Sequence, residues 1–192
     1  MKTLLITALL MAMPAFAVAE DKVPAHPHIQ IETTKGIIVL ELDGRRAPLT
    51  VGHFLSLLDD GYYDGTVFHR VIPGFMAQAG GYTSNLKSKE RQGAIPNESG
   101  NGLENLRGTI AMARTSDPHS ANAQFFINVD DNTALDPRAD RWGYAVFGYV
   151  IDGMDVVDKI VETKTGPGGQ FSQDVPVEPI VIKKMSRFQF ED

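Results

Sequence analysis

The chain has 192 residues, carries 24 acidic against 18 basic side chains for a net charge of -6, and contains no cysteine. That length suits one domain with a sizeable core, the acidic balance argues against nucleic acid or an anionic membrane as partner, and the missing thiols exclude disulfides and thiolate chemistry. Protein or peptide is the ligand class this balance favours.

In chain order, Met1 to Ala19 carry the pattern of a secretory signal. Lys2 supplies the positive start, Leu4 to Met13 an apolar run, and Ala17-Val18-Ala19 a small-residue cleavage site. The run is shorter than the ~20 residues that span a bilayer, and Pro14 interrupts it. Cleavage between Ala19 and Glu20 is expected, with a cut after Ala17 as the nearby alternative, and no membrane attachment afterwards. A cysteine-free exported chain favours a bacterial periplasm over a disulfide-rich extracellular setting. Residues 20–27 read as a flexible lead and 28–188 as the folded domain.

Ile29 and Ile31 alternate with polar residues, Thr33 to Gly36 offers a turn, and Ile37 to Leu42 is β-prone, which predicts an opening hairpin. Pro48 followed by Val51, Phe54, Leu55 and Leu58 predicts an amphipathic helix ending near Gly61, and Met154, Val157, Ile160 and Val161 predict a second. Between and after them lie short apolar runs at Thr66–Val71, Met76–Ala79, Arg107–Ala113, Phe125–Asn128, Ala145–Tyr149 and Val177–Met185. Gly, Pro, Asn and Asp separate these runs, so periodicity predicts a mixed, mainly β fold with two helices. The long irregular segments Tyr82–Leu106 and Asp130–Gly143 are expected to border a groove.

Several features take plain readings. His26 and His28 lack a third ligand for a metal, and His53, His69 and His119 are expected to be structural or exposed. Asp130, Asp131, Asp136 and Asp140 lack calcium-loop spacing and read as a solvated surface. Gly166-Pro167-Gly168-Gly169 lacks the Gly-Lys-Ser/Thr ending of a phosphate loop and reads as a flexible turn. Asn97-Glu98-Ser99, a glycosylation sequon only in a eukaryotic host, reads as a plain loop. No nucleophile-elbow motif supports a hydrolase triad.

Two segments carry most of the chemistry: Phe68-His69-Arg70-Val71-Ile72-Pro73-Gly74-Phe75-Met76-Ala77-Gln78-Ala79-Gly80-Gly81, and Gln124-Phe125-Phe126-Ile127-Asn128. They place one permanently charged donor, amides and large apolar side chains on strand-like runs. Such a set binds and polarises but is poorly equipped to break a covalent bond. Together with Arg107 to Arg114 and Tyr144 to Gly148, these blocks resemble, in order, the cyclophilin-type peptidyl-prolyl cis-trans isomerases.

The resemblance implies a closed antiparallel eight-stranded β-barrel capped by two α-helices, no cofactor, and action as a monomer on proline-containing unfolded or partly folded polypeptides. It places Arg70 at the catalytic arginine, with Gln78 and Gln124 contacting substrate and supporting that arginine. Phe75, Met76, Phe126 and Leu135 would form the proline socket with Tyr144 at its rim, and Ala113 and Arg114 a strand edge that takes the substrate backbone. Phe125 should turn away from Phe126 into the core. Ala134, Tyr144 and Arg114 stand where the eukaryotic proteins carry tryptophan, histidine and asparagine. The first two changes resemble the bacterial periplasmic, rotamase A-like branch and call tight cyclosporin binding into question.

Isomerisation needs no proton transfer. Rotation breaks amide resonance against a barrier of about 18–20 kcal/mol, and a site lowers it by favouring the twisted amide over both planar forms. A non-catalytic holdase that keeps the groove, and a barrel carrying a small apolar ligand, are the rival readings.

Overall fold

The computed structural model describes residues 23–89 and 93–189. The signal segment, with Ala19 and Glu20, lies outside them. The hairpin expected at the start is present: β1 (His28–Thr33) pairs antiparallel with β2 (Ile37–Leu42), bringing Ile31 opposite Ile38 and Ile29 opposite Leu40. The Thr33 hydroxyl donates to the Gly36 carbonyl at 2.7 Å and closes the turn. Ahead of β1, the described part of the lead is laid on the barrel, since the Leu42 and Gly44 amides donate to the Pro27 and Ala25 carbonyls.

Helix α1 (Pro48–Asp59) starts on its proline and buries Val51, Phe54, Leu55, Leu57 and Leu58. Proline at a first turn gives up an N–H that has no partner there. Helix α2 (Met154–Val161) buries Val156, Val157, Ile160 and Val161. Both helices press these faces into one core cluster with the inward strand residues. No helix among the described residues is long and apolar enough to cross a membrane.

The remaining strands are β3 (Arg70–Ile72), β4 (Met76–Ala79), β5 (Thr109–Met112), β6 (Phe125–Asn128), β7 (Val146–Asp152) and β10 (Ile182–Phe188), with β8 (Thr165–Gly168) and β9 (Phe171–Pro176) forming a separate hairpin. The main sheet is antiparallel, has eight strands, and runs β10-β1-β2-β7-β5-β6-β4-β3. It curls until its ends meet. Before β3, the Gly65 amide donates to the Ile182 carbonyl, the Ile182 amide to the Thr66 carbonyl and the Phe68 amide to the Ile180 carbonyl, at 2.8, 2.8 and 2.9 Å. The barrel seam is therefore a short bridge centred on Val67 and Val181, not a full ladder.

One expectation fails here. The glycine cluster is not simply a flexible turn, because Thr165–Gly168 pairs antiparallel with β9, with one irregularity between Gly166 and Gly168. Leu86 lies so close that a Cβ on Gly168 or Gly169 would fall 3.0 or 2.9 Å from it. Missing side chains here give Leu86 a flat surface to pack on.

Candidate active site

Strand register places the site. In antiparallel pairing, residues directly opposite one another share a face of the sheet. Arg70 stands opposite Gln78, Gln78 opposite Phe126, Phe126 opposite Ala111, and Ala111 opposite Val146, so one row crosses β3, β4, β6, β5 and β7. The neighbouring row, Val71, Ala77, Ile127 and Ile110, faces inward and belongs to the main core. The outward row and its flanks form a second, separate apolar cluster of Met76, Ala111, Phe126 and Val146, with Phe75, Leu135, Tyr144 and Ala113 packed against it.

On that outer wall a cleft of about 150 Å³ is lined by Arg70, Phe75, Met76, Gln78, Ala113, Arg114, Phe126, Leu135 and Tyr144. Nine of the ten site residues expected from sequence thus meet in one place. The tenth, Gln124, stands behind them, accepting from Gln78 Nε2 through its Oε1 at 2.9 Å. Gly81 makes room for it, since a Cβ there would meet the Gln124 side chain at 2.5 Å.

Arg70 is 40% exposed, and its Nε lies 3.8 Å from Asp174 Oδ2. Arg70 therefore lines the cleft with its side chain partly open to solvent. The Arg114 guanidinium is more tightly engaged. It donates to the Gly143, Thr115 and Trp142 carbonyls at 3.2, 2.9 and 2.9 Å, and lies 4.6 Å from the centre of the Tyr144 ring. Tyr144 in turn meets Phe126 edge-on at 5.6 Å. Trp142 stays outside the cleft, exposed and edge-on to His119 at 5.1 Å.

The strand-edge expectation for Ala113 and Arg114 needs correction. Strand β5 is an interior strand between β6 and β7 and ends at Met112, and the Ala113 amide already donates to the Gln124 carbonyl at 2.9 Å. Ala113 and Arg114 line the cleft where the chain leaves the sheet. The Ala113 N–H is spent on the scaffold.

A buried amide network, invisible in the sequence, fixes three of these residues from behind. Asn132 Nδ2 donates to the Phe75 carbonyl and to Asn128 Oδ1, both at 2.8 Å. Asn128 Nδ2 donates to Asn105 Oδ1 at 3.3 Å, and Asn105 Nδ2 to the Tyr144 carbonyl at 3.3 Å and to Asp136 Oδ1 at 2.8 Å. The Asp136 carboxylate also accepts from the Asn105 amide at 2.8 Å. It is thus a structural acceptor that fixes the chain next to Leu135, not part of a solvated surface. Buried amides satisfied in this way specify one arrangement.

His69, directly before Arg70, is buried with its ring against Tyr82 and Phe171, and its Nδ1 has no hydrogen-bond partner. Burial pushes its pKa down to about 4, reinforced by the Arg70 charge, with the Val67 backbone and the Gln124 amide working the other way. His69 is therefore neutral at pH 7. His53 is hydrogen-bonded to the Asn122 carbonyl, and His119 Nδ1 accepts from the Asn97 amide. His26 and His28 both reach Glu41, at 3.5 and 2.9 Å, and the Tyr149 hydroxyl donates to the same carboxylate at 2.6 Å. The Tyr149 bond first, and His28 after it, hold the Glu41 carboxyl below its ordinary range.

The fold and cleft define a small β-barrel protein with an apolar hollow on the outside of the barrel wall, lined also by arginine and glutamine side chains. Residues 28–187 match the family model for cyclophilin type peptidyl-prolyl cis-trans isomerase. Peptidyl-prolyl cis-trans isomerase A of Dickeya dadantii is 49% identical over 170 residues, covering 88% of this chain and 86% of that protein. Peptidyl-prolyl cis-trans isomerase B of Escherichia coli is 49% identical over 161 residues, covering 82% and 98%. A Cryptosporidium parvum cyclophilin type isomerase solved in the presence of the dipeptide Ala-Pro has a TM-score of 0.70 at 27% identity, covering 85% of this chain and 99% of that one.

The chain belongs to the cyclophilin-type peptidyl-prolyl cis-trans isomerase family and is an isomerase of the peptide bond preceding proline.

Proposed function

We propose that the chain isomerises X-Pro bonds in exported polypeptides in the periplasm, with Arg70 as the catalytic residue. The observation that carries this is that Arg70 lines the same hollow as Phe75, Met76, Phe126 and Leu135. The proline ring seats on that floor, where aromatic faces and a flexible thioether grip it. As the imide twists, its nitrogen becomes pyramidal and exposes a lone pair, and a guanidinium N–H aimed at that lone pair opposes resonance. This contact is absent in either planar form, so it stabilises the transition state selectively. Gln78, steadied by Gln124, offers an amide to the turning carbonyl. The cleft is complete within one chain, which supports action as a monomer.

Export is supported by the pattern of Lys2, the apolar run and Ala17-Val18-Ala19. Proline-containing peptide as ligand is supported by the dipeptide present with the C. parvum relative.

A proline-limited isomerisation assay on wild type and Arg70→Ala, with peptide binding measured in parallel, tests the mechanism. The variant should lose about 100- to 1,000-fold in kcat, the order for removing one preorganised donor, and only a few-fold in binding. Equal rates would remove Arg70 from the mechanism. A wild-type rate no faster than buffer would favour the holdase.

A further inference from the structure

We infer that Asp174, on the β8–β9 hairpin, is a positioning residue for Arg70. The inference rests on the proposed role of Arg70 and adds what aims it. An arginine side chain rooted on a three-residue strand and 40% exposed has many rotamers open to it. Asp174 Oδ2 lies 3.8 Å from Arg70 Nε, so the ion pair engages the Nε atom and the two Nη groups are the donors left for substrate. Its carboxylate is only 21% exposed, so its pull on Arg70 is less screened than at an open surface.

Independent features show that this carboxylate is placed by the scaffold. Asp174 adopts a left-handed backbone, with φ of 66°, an uncommon conformation for a side-chain-bearing residue that Asp and Asn tolerate best. The pairing of β8 with β9 is irregular between Gly166 and Gly168, so the chain from Phe171 to Val175 departs from regular alternation around Asp174. The hairpin itself is pinned beside the cleft. The Phe171 ring meets His69 at 5.6 Å and Tyr82 at 5.0 Å, Gln170 Nε2 donates to the Tyr82 hydroxyl at 2.7 Å, and Leu86 packs on Gly168 and Gly169. The glycine-rich hairpin thus has a task at the active site: it holds an acidic side chain against the arginine from an element outside the main sheet.

The test is a double-mutant cycle read as kcat, KM and thermal midpoint. Asp174→Asn keeps the shape and tolerates the left-handed backbone, while Asp174→Gly frees that backbone. Each should lower kcat roughly tenfold, the order seen when the supporting partner of an active group is removed, with KM within about twofold. In an Arg70→Ala background, assayed at higher enzyme concentration, adding Asp174→Asn should change kcat by less than about twofold, because there is no guanidinium left to aim. Full activity in Asp174→Asn would overturn the assignment. So would an equal tenfold fall in both backgrounds, which marks general damage to the fold. Wild-type kcat in Arg70→Ala alone would instead strike the reading of Arg70, and this inference with it.

Discussion

Buried between Tyr82 and Phe171 with Nδ1 unpartnered, the His69 ring is costlier to protonate in the folded chain than in the unfolded one. Its pKa falls from the ordinary 6.5 to about 4, chiefly through burial. Above pH 6.5 the ring is neutral in both states and the fold keeps its full stability. As pH falls from 6.5 towards 4 the unfolded chain takes up the proton first, so stability is lost across that window and levels off below it. The loss amounts to about 3 kcal/mol, at ~1.4 kcal/mol per unit. The Glu41 and Asp59 carboxyls, held low by Tyr149 and Arg187, lose their stabilisation only below their ordinary values of 4.5 and 3.8. Urea unfolding of wild type and His69→Gln between pH 7 and pH 4.5 checks this. The wild type should lose stability over that range and the variant should not, and parallel curves would sink the idea. Arg70, Phe75, Met76, Gln78 and Phe126 were legible because they lie in two short contiguous runs that resemble the cyclophilin-type motifs, and strand pairing folds those runs onto one wall. Asp174, Asp136 and the Asn105, Asn128 and Asn132 amides were not, because each acts through a partner brought near only by the fold.

Helix α1 was legible from Pro48 and the spacing of its apolar residues, but what starts it was not. Ala47 precedes the helix and provides no side-chain cap. The first-turn amides are satisfied from the far loop, where Glu98 accepts from the Leu49 and Thr50 amides and the Thr50 hydroxyl at 3.1, 2.8 and 2.7 Å. A carboxylate there meets both unpaired N–H groups and the positive end of the helix dipole. The segment read from sequence as a plain loop is therefore the N-terminal cap of α1. Its continuation delivers Leu103 to the apolar cluster beneath the cleft. Glu98→Ala should cost about 1–2 kcal/mol, read as a fall in thermal midpoint of roughly 2–8 °C. Glu98→Gln, which keeps an acceptor but not the charge, should fall between the two. An unchanged midpoint in Glu98→Ala would show that water serves those amides equally well. The β8–β9 hairpin escaped a sequence reading for a related reason. Its first strand is short and glycine-rich, its second lacks apolar alternation, and tertiary contacts with Leu86 and Tyr82 hold it.

The barrel wall divides two apolar populations that the sequence writes side by side. Phe125 and Phe126 are adjacent, yet Phe125 joins the main core, edge-on to Phe54 and Tyr63 at 5.7 and 5.6 Å, while Phe126 belongs to the outer cluster under the cleft. Alternation along β6 suffices to separate them. A filled interior also rules against a carrier that holds an apolar ligand inside the barrel, as side chains of α1 and the inward strand rows occupy that space. The division predicts opposite outcomes for two neighbouring truncations. Phe125→Ala opens a cavity in the core and should cost about 3–5 kcal/mol, with KM for a proline peptide within about threefold of wild type. Phe126→Ala should cost less stability, because its ring already borders the cleft. It should raise KM about 10- to 100-fold, matching the roughly 1.5–3 kcal/mol of apolar burial the proline ring would lose. Denaturant unfolding and steady-state kinetics on the pair decide it. If both truncations moved stability and KM together, the wall would not separate core from cleft, and the peptide would have to be binding through the barrel as a whole.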